Sequence, residues 1–343
     1  MISIQNLKID KGMLQTIEET INKYSMVNRN EESIIALSGG KDSLFVSFAL
    51  RELGYKIRPV IIDMGYETNW GNKIVDLFSS YDLKPIVVDT RNTKLNSQLL
   101  PNLTSQINEG LAYLDKYVPD SQSTPCTVCY NTKIVSLSIY AKKEEISKIV
   151  FGHHGTDAIT SFLKSAFMYI DRWDNGHNVF QKINFKSLVE KTKTHFESSF
   201  DEFILSDFCQ RLQALTNERV ISTDEPPVQN YVKDENIMII RPLFNIFEDA
   251  ILQFKATNTI NTFGSGCNHS GSKDTHTPRE IIQYDLLYEI FGKKDSFLIQ
   301  TWLLDLLSKG LTAEGKLIVN ARNERERILG KTYKNTTNCS IKF

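Results

Sequence analysis

A six-residue string, Ser38-Gly39-Gly40-Lys41-Asp42-Ser43, constrains this chain more than any other stretch. The apolar run Ile34-Ile35-Ala36-Leu37 precedes it, and Leu44-Phe45-Val46-Ser47-Phe48-Ala49-Leu50 follows. A short apolar run bounded by glycines reads as a buried strand. The segment after the string has apolar residues at helical spacing and closes near Gly54, so it reads as a helix. The string therefore falls at a strand-to-helix turn, where backbone N–H groups and the positive helix end converge, a geometry that binds phosphate. Gly39 and Gly40 let the backbone approach a ligand, and Lys41 adds positive charge. The string is not a Walker A loop, G-x-x-x-x-G-K-[ST]. Ile35 stands where that loop has its first glycine, and Asp42 where it has its hydroxyl residue. A Gly-Gly-Lys turn alone would read equally well as a tight connection.

The neighbouring segments say what kind of sheet holds this turn. Residues 1–30 read as one helix with Leu14, Ile17, Ile21 and Tyr24 on a face. Arg58 to Asp63 reads as a second buried strand, Asn69 to Tyr81 as a helix, and Pro85 to Asp89 as a third strand. Asn131 to Lys143 reads as a helix and Ile146 to Phe151 as a fourth strand, after which Gly152-His153-His154 opens a helix running to Phe167. Ile237 to Ile240 is a further strand, leading into Arg241-Pro242-Leu243. Strands alternating with helices predict an α/β fold with a parallel sheet and right-handed crossovers. Ligands in such sheets bind at the carboxyl ends of strands, where Ser38, Asp63 and Asp89 fall. Asp63 reads either as a nucleotide contact or as a plain strand-terminal cap.

Other stretches give less. Residues 90–125 are polar and irregular, and 171–235 carry no strand pattern, with one amphipathic helix expected over Asp201 to Leu215. Ser296 to Ser308 is an apolar helix, and the last dozen residues are polar. The expected organisation is an N-terminal helix (1–30), a nucleotide-binding domain (31–170), a helical insertion (171–235), the remainder of that domain (236–290) and a helical C-terminal extension (291–343).

Composition narrows the class. The hydrophobic share of 41% and charged share of 24% are those of a globular chain. No apolar run approaches the ~20 residues of a membrane span, and the N-terminus has no signal-peptide pattern, so a cytoplasmic protein without a membrane partner is expected. A net charge of -1 gives no global basic field for nucleic acid, although it permits a local patch.

Five cysteines in a reducing compartment point to metal or sulfur chemistry rather than a disulfide framework. Cys126 and Cys129 form a C-x-x-C at the mouth of a helix, where the helix end and cations such as Lys133 favour thiolates. Alone the pair reads as a redox couple, half a metal site or two unrelated thiols. Cys267, flanked by glycines in Gly264-Ser265-Gly266-Cys267, is a third candidate ligand. Three thiolates suit an iron–sulfur cluster with one open iron, or a zinc site completed by His269 or His276. Cys209 reads as a buried structural thiol, and Cys339 has no assignment.

In chain order, the loop 38–43, the pair Cys126/Cys129, the string Gly152-His153-His154-Gly155-Thr156-Asp157, the strand end Ile240-Arg241-Pro242-Leu243 and Cys267 line up. The chain resembles the PP-loop ATP pyrophosphatases, and among them the iron–sulfur tRNA thiolases of the tRNA 2-thiocytidine synthetase type. The likeness covers about 34–170 and 236–290. It implies an adenine nucleotide alpha-hydrolase-like, Rossmann-like domain that cuts ATP to AMP and pyrophosphate. Ser38, Gly39, Gly40, Asp42 and Ser43 would hold the ATP phosphates with Mg2+, Lys41 would offset their charge, and Asp63 would approach the nucleotide. Asp157 would help hold the metal, and Arg241 would reach toward nucleotide or base. Cys126, Cys129 and Cys267 would ligate a [4Fe-4S] cluster, with Zn2+ as the alternative. The partners implied are ATP, tRNA and a sulfur donor, with a homodimer possible.

Two departures qualify this likeness. Thr156 stands where the family string has its first aspartate, and the interval between His154 and Arg241 is long. The segment Asp63-Met64-Gly65-Tyr66-Glu67 is similar to the PAPS-reductase branch of the same superfamily. An adenylating ligase with structural zinc, and a nucleotide-binding subunit of a larger assembly, are the competing functions.

Overall fold

In the computed structural model, residues 7–64, 70–89, 125–163, 227–232 and 237–263 are described, with single positions between 283 and 307. The chain divides into two compact units. The first is drawn from Met1–Ala112, Ser123–Gly155 and Pro226–Gly271, and the second from Tyr113–Gln122, Thr156–Glu225 and Ser272–Phe343.

The first unit is built on a six-stranded sheet. Its strands are β1 (Glu32–Leu37), β2 (Lys56–Asp63), β3 (Ile86–Asp89), β4 (Lys148–Val150), β5 (Val228–Val232) and β6 (Ile237–Ile240). Their spatial order is β3-β2-β1-β4-β6-β5. All pairings are parallel except β5 against β6. Register runs Leu37 opposite Ile61, Ile35 opposite Val150, and Val150 opposite Ile240. The order turns back between β1 and β4, which makes the crevice beyond their carboxyl ends the topological switch point.

Both faces of the sheet are covered, which is why its central strands read as unbroken apolar runs. On one face Ile35, Leu37, Ile61, Val150 and Ile240 join Ile17, Ile21, Phe45, Phe48, Ile74, Phe78, Ile251 and Phe254. On the other, Ile34, Val60, Ile62, Ile149 and Ile239 pack with Ile134, Leu137, Tyr140 and Ala141. The helices of the first face are α1 (Lys11–Lys23), α2 (Lys41–Glu52) and α3 (Trp70–Ser79), and the second face carries α4 (Pro125–Lys143). A helix at 155–163, α5, has all but its first residue in the second unit, and α6 (Glu248–Thr257) returns to the first face of the sheet.

Local chemistry sets these boundaries. The Asp10 carboxylate accepts the Met13 N–H and caps α1, so the helix starts at Lys11 rather than running through 1–30. Its Ile17 and Ile21 are buried in the core, and Leu14 and Tyr24 lie against it. Helix α4 begins earlier than the sequence predicts, at Pro125, because proline suits a first helical position. Strand β5 lies where no strand is expected, and α6 where no helix is. In the second unit, Ile159, Phe162 and Leu163 of α5 are buried, as are Leu303, Leu304 and Leu307 of the expected C-terminal helix. There Thr156 Oγ1 donates to Gln300 Oε1 at 2.9 Å. The helix expected over Asp201 to Leu215, Cys209 and Cys339 lie outside the described residues.

Candidate nucleotide site

The string 38–43 forms the turn from β1 into α2, as its pattern predicts. Gly39 has φ +82°, in the left-handed region that only glycine enters at little cost. A Cβ there would lie 2.8 Å from Ile74 Cδ1 and 3.2 Å from Phe263 Cβ. The Phe263 N–H donates to the Gly39 carbonyl at 2.9 Å. Ser43 staples the turn: its Oγ accepts the Ser38 N–H at 3.2 Å and donates to the Gly40 carbonyl at 3.0 Å. Gly40 is the N-cap of α2 and supplies no side-chain acceptor for the first-turn N–H groups. The helix therefore presents its positive end at the switch point, which suits a phosphate.

Gly152, just beyond β4, lies flat on this turn. A Cβ on it would come within 2.7 Å of Asp42 C and Ser43 N. The two histidines that follow face different partners. His154 is buried, with Nε2 3.7 Å from Asp42 Oδ1. The His153 ring stacks on Phe151 at 5.6 Å, and its Nδ1 accepts from Arg241 Nε at 3.4 Å. Arg241 is 1% exposed, and its second terminal nitrogen donates to Gln229 Oε1 at 3.2 Å. The His153–His154 dipeptide thus joins the loop to the buried arginine.

Lys41 is held by two carboxylates. Its Nζ lies 3.0 Å from Asp42 Oδ1 and 2.8 Å from Glu248 Oε1. Burial pushes its pKa down, but the negative charges of Asp42 and Glu248 outweigh burial and leave it above the ordinary 10.5. The ammonium is therefore charged at neutral pH. Glu248 is the first residue of α6 and is buried. Its sequence signal is slight, an acidic pair opening a short helix.

The remaining expected residues are distributed as follows. Asp63 is buried at the end of β2, and its Oδ2 accepts the Gly71 N–H at 3.3 Å near the start of α3. That contact matches the capping reading. Asp157 is buried on α5, in the second unit. Cys126 and Cys129 are the second and fifth residues of α4, three residues apart and hence about one turn apart along the helix. Tyr130, next to Cys129, has its ring 6.2 Å from those of Phe151 and His153. Cys267, His269, His276 and the segment 65–69 lie outside the described residues. Among the described residues no group of three or more His, Cys, Asp or Glu side chains is set to hold a metal ion. No helix among them is long and apolar enough to cross a membrane.

No protein-family model matches the chain. It is 22% identical over 170 residues to tRNA-cytidine(32) 2-sulfurtransferase 1 of Francisella tularensis subsp. novicida, covering 47% of this chain and 55% of that protein. To the tRNA-cytidine(32) 2-sulfurtransferase of Cereibacter sphaeroides it is 26% identical over 169 residues, covering 47% of this chain and 50% of that one. The chain thus spans about half the length of the curated relatives it matches. Among solved structures, the U34-tRNA thiolase NcsA from Methanococcus maripaludis, with its [4Fe-4S] cluster, aligns with a TM-score of 0.49 and 17% identity. That alignment covers 87% of this chain and 79% of the other. The loop 38–43 and the mostly parallel sheet that carries it thus occur in a chain that is similar, over about half of its length, to the tRNA-cytidine(32) 2-sulfurtransferases.

Proposed function

We propose that the chain is an ATP-dependent sulfurtransferase that replaces a nucleobase carbonyl oxygen in tRNA by sulfur. The observation that carries this reading is the phosphate cradle at 38–43, found in a chain whose curated relatives are tRNA sulfurtransferases. A carbonyl oxygen is a poor leaving group. In the proposed reaction it attacks the α-phosphorus of ATP and expels pyrophosphate. Sulfur then adds at the carbon, and the oxygen departs with AMP.

The chain's own residues bind and orient in this scheme, and supply charge. The N–H groups of Lys41 and Asp42, in the first turn of α2, meet the phosphates, and the Lys41 side chain offsets their charge. A hard cation such as Mg2+, carried in with the nucleotide, would supply further positive charge to the phosphates. Gly152 lets the strand end lie against the cradle, and Asp63 stabilises the start of α3 beside it. Arg241 fixes the His153 ring through its Nδ1, and that ring faces Tyr130, the neighbour of Cys129.

The donor set fits a thiolate-held centre: Cys126 and Cys129 stand one turn apart at a helix start, where thiolates are favoured. With Cys267 they would hold a [4Fe-4S] cluster, which when bound would supply an open iron for the sulfur. Mass spectrometry of tRNA nucleosides from cells with and without the gene tests the reading. Loss of one thiolated nucleoside, restored by the wild-type gene, is the expected result. Unchanged thiolation would contradict it.

A further inference from the structure

We propose that Glu248 is a positioning residue for Lys41, holding the lysine ammonium back from the bound triphosphate until pyrophosphate begins to leave. The proposal rests on the reading of 38–43 as an ATP site and deepens it.

Lys41 and Glu248 are each the first residue of a helix, α2 and α6. A carboxylate at a helix N-terminus is favoured by the helix dipole, and a lysine there is disfavoured. Glu248 obeys that preference and Lys41 breaks it, so the lysine stands against its own helix. Violations of local rules concentrate at functional positions. What makes this one tolerable is the Glu248 carboxylate, 2.8 Å away, with Asp42 at 3.0 Å on the other side. Both members of the Lys41–Glu248 pair are largely withdrawn from solvent, with side chains 19% and 10% exposed. A lysine on a flexible four-carbon stem is thereby fixed in place.

The Lys41 ammonium is thus already engaged by two carboxylates. An incoming triphosphate therefore gains less from Lys41 in the ground state than an unpaired lysine would give. As the bridging oxygen breaks from the α-phosphorus, negative charge builds on the departing pyrophosphate. Lys41 can then exchange a carboxylate for the leaving group, so its attraction is realised mainly in the transition state.

Glu248→Gln keeps the shape and removes the charge. The expected result is ATP binding about 5-fold tighter in Mg2+ buffer by calorimetry, with kcat for tRNA-dependent pyrophosphate release reduced about 10-fold or more. Glu248→Asp, which restores the charge with a shorter reach, should move both values back toward wild type. In a Lys41→Met background, Glu248→Gln should tighten ATP clearly less than it does in the wild-type chain, since only the direct repulsion of the carboxylate is then relieved. A merely structural glutamate would lower the folded fraction without tightening the nucleotide. Unchanged or weaker ATP binding in folded Glu248→Gln overturns the proposal, as does the same tightening in the Lys41→Met background. A wild-type chain that binds ATP but never thiolates tRNA overturns the sulfurtransferase reading and leaves the Glu248 result standing. A wild-type chain that binds no ATP overturns both.

Discussion

Gly152 lies so close to the Asp42–Ser43 peptide that a methyl group at its Cα would sit 2.7 Å from Asp42 C and from Ser43 N. Neither backbone atom can rotate away as a side chain would. The end of β4 and the start of α2 are in this way locked together across the switch point.

Gly152→Ala should therefore push α2 away from β4. Overpacking of this kind costs about 1–3 kcal/mol. Urea unfolding should show that loss, and ATP affinity should fall with it because the displaced turn includes the N–H groups proposed to meet the phosphates. Full stability with full affinity would show that the contact is not tight.

Gly39 and Gly54 make an internal comparison. Their φ values are +82° and +79°, so alanine strains the backbone at both, at about 1–2 kcal/mol. Only Gly39 is also crowded, by Ile74 and Phe263, whereas nothing lies within 4 Å of a Cβ on Gly54. Gly39→Ala should thus destabilise by about 1–3 kcal/mol more than Gly54→Ala, and it alone should weaken ATP binding. Paired denaturation curves and one binding titration decide the matter.

The Lys41 pair predicts an alkaline transition. A lysine whose folded pKa lies above its unfolded value stabilises the fold at all pH below 10.5, and that stabilisation is lost as pH rises through the folded value. As pH rises above 10.5 the wild type should therefore lose more stability than Lys41→Met, which has no ammonium to titrate. Parallel decline of the two urea midpoints would contradict the assignment.

Much of this was legible in the sequence because the central strands are buried on both faces. Ile34 to Leu37 and Ile237 to Ile240 had to be apolar at nearly every position, and the Gly-Gly-Lys string marked the turn between strand and helix. Strand β5 was not legible, because Val-Gln-Asn-Tyr-Val at an antiparallel edge, with a register shift between Asn230 and Val232, has no periodicity of its own. Helix α6 escaped because its ten residues commit little more than Ile251 and Phe254 to the core. Glu248 could not have been assigned to Lys41 from sequence at all, since the pairing arises only when α6 returns to the face that carries α2. Asp63 shows the opposite case: both its readings were visible, and the hydrogen bond from Gly71 supports the capping one.

The cysteine reading makes its own prediction. Anaerobically purified protein should be brown, with iron and sulfide in equal amounts. Cys126→Ser and Cys129→Ser should each bleach it and abolish tRNA thiolation while leaving ATP binding within about 2-fold, because the phosphate cradle does not include α4. Colourless wild-type protein carrying zinc would contradict the cluster assignment.

The central claim is that the turn at 38–43 holds ATP for cleavage between its α- and β-phosphorus atoms. The most direct measurement follows α-labelled and γ-labelled ATP through turnover by the purified chain with tRNA and a sulfide source. The account predicts labelled AMP and labelled pyrophosphate in equal amounts, both absent in Lys41→Met. Labelled ADP with inorganic phosphate would contradict it.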